Sequence, residues 1–155
     1  MNGVREGSRG FLSMNLSAKT EYACVALLEL AVRHESRRPV RIRDIAQTNG
    51  IPASFLVQIL LQLKGAGIVT STRGAAGGYL LAREPAEISL GEVMAISDGQ
   101  SSVLVSNVTK QSAAARTLQA AWQEVLTVER ELLSSMTFDD LAARVRGQAE
   151  QMYYI

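Results

Sequence analysis

The sequence predicts a mainly α-helical fold: a winged helix-turn-helix with a small β-hairpin wing, followed by a long C-terminal dimerisation helix. Three observations carry this expectation. Two short apolar-periodic stretches meet at Gly50-Ile51-Pro52, where glycine suits the end of one helix and proline the start of the next. A glycine-rich heptapeptide, Arg73-Gly74-Ala75-Ala76-Gly77-Gly78-Tyr79, lies between two runs of strand length. An apolar pattern from Ala113 to Met136 keeps helical spacing for longer than the core of one small domain requires. Helix, turn, helix and then hairpin is the order of a winged helix-turn-helix.

The elements follow in order. Residues 1–13 carry Arg5, Arg9 and three glycines with one apolar pair, Phe11-Leu12. They lack the apolar core of a signal peptide and are expected to form a flexible N-terminal extension. Ser17 is placed to cap a helix from Ala18 to His34, with Glu21 in the first turn, where the helix dipole favours an acid. His34 is expected to be a solvated helix-end residue. Glu35 to Pro39 breaks this helix, and Val40-Arg41-Ile42 alternates like a brief strand. A short helix follows from Arg43 to Asn49, with Ile45 and Ala46 facing inward. The next runs from about Pro52 to Lys64, its apolar stripe formed by Ile51, Phe55, Leu56, Ile59, Leu60 and Leu63.

Ile68 to Thr72 is rich in β-branched residues and forms the first wing strand; Tyr79 to Ala82 forms the second. Three glycines in the turn between them suit backbone shape and close approach to a ligand. Ser89-Leu90-Gly91-Glu92 matches a capping box, so a helix starts at Leu90 and ends near Asp98-Gly99. Gln100 to Ser112 is a loop of about a dozen residues, long enough to suggest either function or disorder. In the helix from Ala113 to Met136 the stripe comprises Ala115, Leu118, Trp122, Val125, Leu132 and Met136, widened by Leu126 and Leu133. One explanation is a helix covering its own domain. The favoured one is a dimer seam through Leu118, Trp122, Val125, Leu126, Leu132 and Leu133. Thr137 and Asp140 then restart a helix bearing Leu141 and Val145. The chain thus divides into the extension, a DNA-binding unit at 14–84, a connecting helix and sensor-type loop at 85–111, and a dimerisation unit at 112–155.

Net charge is only +1 over 155 residues, yet its distribution is uneven. Residues 33–83 hold eight basic side chains against two acids, a net of +6, whereas residues 84–155 hold five against ten. Such asymmetry points to a polyanion site on the first half. No apolar run approaches the roughly 18 residues of a membrane span, and a cytoplasmic protein is expected. The single cysteine, Cys24, lies in an apolar helical pattern and reads as a core residue, with a redox role the lesser alternative.

Catalysis has no residues to rest on. The glycine turn lacks the Lys-Ser/Thr of a phosphate loop and leads into a strand rather than a helix. The lone histidine has no nucleophile in a defined motif, and no close set of Cys, His and carboxylate ligands suggests a metal. Neither a catalytic site nor a cofactor is expected. For DNA binding the residues exist. Ala53, Ser54, Val57 and Gln58 open the second helix of the pair, where base edges in a major groove are reached. Ser54 and Gln58 offer hydrogen bonds, and Ala53 and Val57 apolar contact to thymine. Arg41, Arg43, Lys64 and Arg73 are the phosphate-contacting candidates, Arg73 also for a minor groove, with Gly74, Gly77, Gly78 and Tyr79 completing the wing.

These residues resemble the Rrf-two (IscR-type, BadM-type) family of bacterial winged-helix transcription regulators. The likeness lies in Met14 to Lys19 with Tyr22-Ala23, in Ile45-Ala46, Gly50-Ile51-Pro52 and Phe55 to Leu60, and in Leu63 to Val69. It continues through Arg73-Gly74 with Gly77 to Ala82, and through Ile88 to Val93. The resemblance implies a homodimer, more often a repressor, that binds a palindromic operator in double-stranded DNA. A small effector or protein partner would supply the signal. Many members hold an iron–sulfur cluster through three cysteines in the loop that here follows Gly99; Gln100 to Ser112 has none. Glu21 aligns with a carboxylate that helps ligate the cluster in some members, and one carboxylate cannot hold it alone. Val57 replaces a glutamate used by some members to read cytosine, and Ala75 replaces the usual wing proline, which implies a more mobile wing tip. The alternative from another class is a protein-interaction module whose winged helix no longer binds DNA.

Overall fold

The computed structural model describes residues 16–98 and 106–153. The N-terminal extension and the first part of the expected sensor loop lie outside the described residues. Helices α1 (Ala18–Val32), α2 (Ile42–Asn49) and α3 (Ala53–Gly65) precede a two-stranded antiparallel hairpin, β1 (Val69–Thr72) and β2 (Gly78–Leu81). Helices α4 (Leu90–Asp98), α5 (Ala113–Ser135) and α6 (Phe138–Tyr153) follow. The fold is the expected mainly helical winged helix-turn-helix.

Each boundary has a local cause. The Ser17 hydroxyl accepts the Thr20 N–H at 3.1 Å and starts α1, and Ser112 does the same for α5 through the Ala115 N–H at 3.1 Å. Thr137 and Asp140 form a reciprocal box at the start of α6, with bonds of 3.2 and 3.4 Å. Gly50 ends α2 at φ +64°, a left-handed position that a side chain would strain. The far end of α1 is closed from a distance: the Arg146 guanidinium of α6 donates to the carbonyls of Val32 at 3.3 Å and Ala31 at 3.5 Å. A cation is thereby placed on the last orphan carbonyls of that helix.

The core gathers Ala23, Ala26, Leu27 and Leu30 of α1 with Ile45 of α2 and Leu56, Ile59, Leu60 and Leu63 of α3. Ile68, Val69 and Leu81 close it beneath the hairpin, and Phe138, fully buried, pins the start of α6. The turn between α5 and α6 docks on the entry to α4. Leu90 N–H donates to the Met136 carbonyl, and Phe138 N–H to that of Ile88, both at 2.9 Å.

Three expectations change. Of the segment Val40-Arg41-Ile42 only Val40 is strand-like, paired with Tyr79, and Ile42 already belongs to α2. Phe55 is not in the core stripe of α3. It is 59% exposed, its ring centroid 6.4 Å from that of Tyr22, because the buried face turns through Leu56, Ile59, Leu60 and Leu63 instead. His34 lies beyond α1 in a short 3₁₀ turn, and its side chain is largely covered rather than solvated. A left-handed Arg37 at φ 56° turns the chain there, and the His34 ring meets Glu84 at 3.2 Å.

Candidate nucleic-acid interface

Helix α3 has two contrasting faces. Leu56, Ile59, Leu60 and Leu63 are buried, while Ala53, Ser54, Val57 and Gln58 point outward together, as helical spacing requires. Leu61 extends the outward face by one turn. It was not among the sequence candidates, although its spacing from Val57 placed it on this side. The helix is braced at its end: Gln62 Nε2 donates to the Ile96 carbonyl of α4 at 2.7 Å, and Lys64 Nζ to Ser71 Oγ of β1 at 2.6 Å. Lys64, expected on phosphate, therefore also ties α3 to the wing.

The wing is broader than its two strands. Val40 and Tyr79 exchange backbone bonds of 2.9 and 2.8 Å, so the chain ahead of α2 forms a third rail beside β2. From the next residue, Arg41 sends its guanidinium to the Ala75 carbonyl at the wing tip. The glycines differ in purpose. A side chain on Gly77 would lie 2.3 Å from the Thr72 carbonyl oxygen, and one on Gly78 would lie 2.5 Å from that of Val40. Both are needed by the chain's own packing. Gly74, at φ +106° with open space around it, serves the turn.

The basic residues of 33–83 differ in what they hold, and Arg37 and Arg38 are exposed in the turn after α1. Arg33 pairs with Glu29 at 3.4 Å, and Arg83 holds both Glu92 and the Glu87 carbonyl. These two are spent inside the molecule. Arg43 and Arg73 are exposed and have no hydrogen-bond or ion-pair partner among the described residues. Arg41 and Lys64 are also exposed, each with one hydrogen bond to the wing. Cationic groups without internal partners, carried on α2 and at the end of β1, both of which pack against α3, suit a polyanion better than a neutral partner.

The face of α5 divides differently from the expected single stripe. Trp122, Leu126 and Leu133 are half-buried, whereas Leu118, Val125, Val128 and Leu132 are exposed to 46–63%. Val128 completes the exposed row at spacings of seven, three and four, and sequence inspection passed over it because the row was read as one with Trp122.

Comparison with known proteins decides the family. The family model for Rrf2, described as an iron-dependent transcriptional regulator, matches residues 16–144. The chain belongs to the Rrf2 family. Along 92% of its length it is 36% identical to the HTH-type transcriptional regulator CymR of Bacillus subtilis, all of which is covered. The solved structure of B. subtilis CymR, described as its global cysteine regulator, superposes with a TM-score of 0.75 at 34% identity, covering 85% of this chain and 98% of that one. The HTH-type transcriptional regulator IscR of Vibrio atlanticus is 41% identical over 55% of this chain, which is 49% of the relative. This Rrf2 chain is a DNA-binding transcription regulator and not an enzyme.

The residues do not fit an iron–sulfur cluster. The sequence has one cysteine, and its thiol is pushed up to about 11, first by burial and then by the Asp98 carboxylate. A thiolate ligand needs the opposite shift. Among the described residues no three His, Cys, Asp or Glu side chains gather as a metal would require. None of the described helices is long and apolar enough to cross a membrane.

Sequence inspection also missed a polar clamp. Asp98, the last residue of α4, accepts from Ser17 Oγ at 2.6 Å and from Thr20 Oγ1. These two bonds, Ser17's first, hold its carboxyl below the usual range, and Thr20 is fully buried. The clamp fixes the exit toward residues 99–112 against the first turn of α1.

Proposed function

We propose that this Rrf2 regulator acts as a homodimeric repressor on a palindromic operator, with α3 in the major groove of each half-site and the wing on adjacent phosphates. Ser54 and Gln58 provide hydrogen bonds to base edges; Arg41, Arg43, Lys64 and Arg73 provide the electrostatic part. The observation that carries this reading is the outward face of α3 together with the exposed, partnerless Arg43 on α2 and Arg73 at the end of β1. The exposed row Leu118, Val125, Val128 and Leu132 supports pairing of α5 with its copy, since an isologous seam covers the same residues on both subunits. The signal comes through residues 99–112 from a small effector or a protein partner, without a cluster.

Selection of bound fragments from genomic DNA followed by footprinting tests this. Two protected half-sites related by a dyad, about one helical turn or a multiple of it apart, are expected. Val128→Glu should leave the helical spectrum intact and convert the dimer to a monomer that protects neither half at the same concentration. Failure of both selected and random fragments to bind at low salt would overturn the assignment in favour of a protein-interaction module.

A further inference from the structure

The outward face of α3 is poor in polar groups. Its outward residues are Ala53, Ser54, Val57, Gln58 and Leu61, of which only Ser54 and Gln58 can form side-chain hydrogen bonds. Val57 is 39% and Leu61 51% exposed, and they stand one turn apart on the same side. Neighbouring side chains on α3 are otherwise engaged: Phe55 lies against Tyr22, Gln62 bonds the Ile96 carbonyl, and Lys64 bonds Ser71. The branched pair has no such engagement.

In a major groove the only apolar group a base pair presents is the 5-methyl of thymine. Against cytosine at the same place, a valine or leucine would cover the N4 amino donor with nothing to accept from it, and that desolvation is unfavourable. The geometry points to Val57 and Leu61 as specificity-determining residues that read thymines by their methyl groups and disfavour cytosine there. This rests on α3 being the groove-facing helix, as proposed above. The rise along α3 from Val57 to Leu61 is about 6 Å, more than one base-pair step of about 3.4 Å. The two side chains therefore meet different base pairs where the helix follows the groove. Ser54 and Gln58 lie beside them and fix register by hydrogen bonds.

The test replaces each thymine of the selected operator singly by deoxyuridine, which deletes the methyl and keeps every hydrogen-bonding group. Each methyl buried against Val57 or Leu61 should cost about fourfold in affinity. At the affected positions cytosine should bind more weakly still, with 5-methylcytosine recovering part of the loss. With Val57→Ala, one of the sensitive thymines should become indifferent to uridine while the other stays sensitive. With Leu61→Ala the converse holds. Tight operator binding that is unaffected by uridine at every position would overturn this inference and leave the DNA-binding face standing. Sensitivity that persists unchanged in both variants would also overturn it. Absence of binding to any operator would overturn both it and the interface on which it rests.

Discussion

Replacing Gly78 by alanine probes how the wing is held. The new Cβ would lie 2.5 Å from the Val40 carbonyl oxygen, whereas ordinary contact begins near 3.4 Å. Val40 must then retreat by about 0.9 Å, the difference of those distances. Its two bonds to Tyr79, now 2.9 and 2.8 Å, would stretch to about 3.7–3.8 Å and cease to be hydrogen bonds. Two such losses, at about 0.5–1.5 kcal/mol each, give about 1–3 kcal/mol. For a chain of this size that lowers Tm by about 2–12 °C. Arg41 moves with Val40 and loses its hold on the Ala75 carbonyl, so operator affinity should fall by more than the loss of folded protein explains. Thermal denaturation followed by circular dichroism, with operator titration at a temperature where both proteins remain folded, reads both effects. A variant with unchanged Tm and affinity would refute the three-rail account of the wing.

Other perturbations have clear signs. Gly147 sits inside α6 with open space at its Cβ position, so Gly147→Ala should raise stability by about 0.5–1 kcal/mol in urea melts, and a loss would show an unrecognised contact. The lowered Asp98 carboxyl contributes stability that is present above the ordinary carboxylate range and lost as pH falls through its folded value. The difference in urea midpoint between wild type and Asp98→Asn should therefore be largest near neutral pH and shrink below about pH 4. A difference independent of pH would contradict the clamp's ionic character. Cys24, with its thiol raised to about 11, should react with a disulfide reagent at pH 8 far more slowly in the folded protein than in denaturant. Equal rates would reopen Cys24 as a redox sensor.

Much of this fold was legible because its boundaries are made by short-range chemistry. Ser17, Ser89 and the Thr137–Asp140 box act within three residues, and Gly50 answers to its own φ. Long-range features left weaker traces. No periodicity shows that Asp98 crosses to Ser17 and Thr20, or that Arg146 caps α1 more than a hundred residues earlier. Phe55 was misplaced because apolar spacing alone does not separate the edge of a buried stripe from an exposed ring resting on Tyr22. In the candidate site, residue types and order located Ser54, Gln58, Arg43 and Arg73. Only three dimensions showed that Gly77 and Gly78 are filled by the chain's own backbone, and that Arg33 and Arg83 are paired internally. The divided faces of α5 were hidden for a related reason: two adjacent helical rows, both built from spacings of three, four and seven, merge into one when written linearly.

The most direct measurement is the salt dependence of operator binding by the wild type and by Arg73→Ala. Log affinity should fall linearly with log salt, and the variant's slope should be shallower by about one for each protomer bound, hence about two for a dimer. The same substitution should weaken selected and random DNA alike. A wild-type affinity insensitive to salt, or an Arg73→Ala slope equal to the wild type's, would contradict the claim that the α3–wing surface is where this regulator meets DNA.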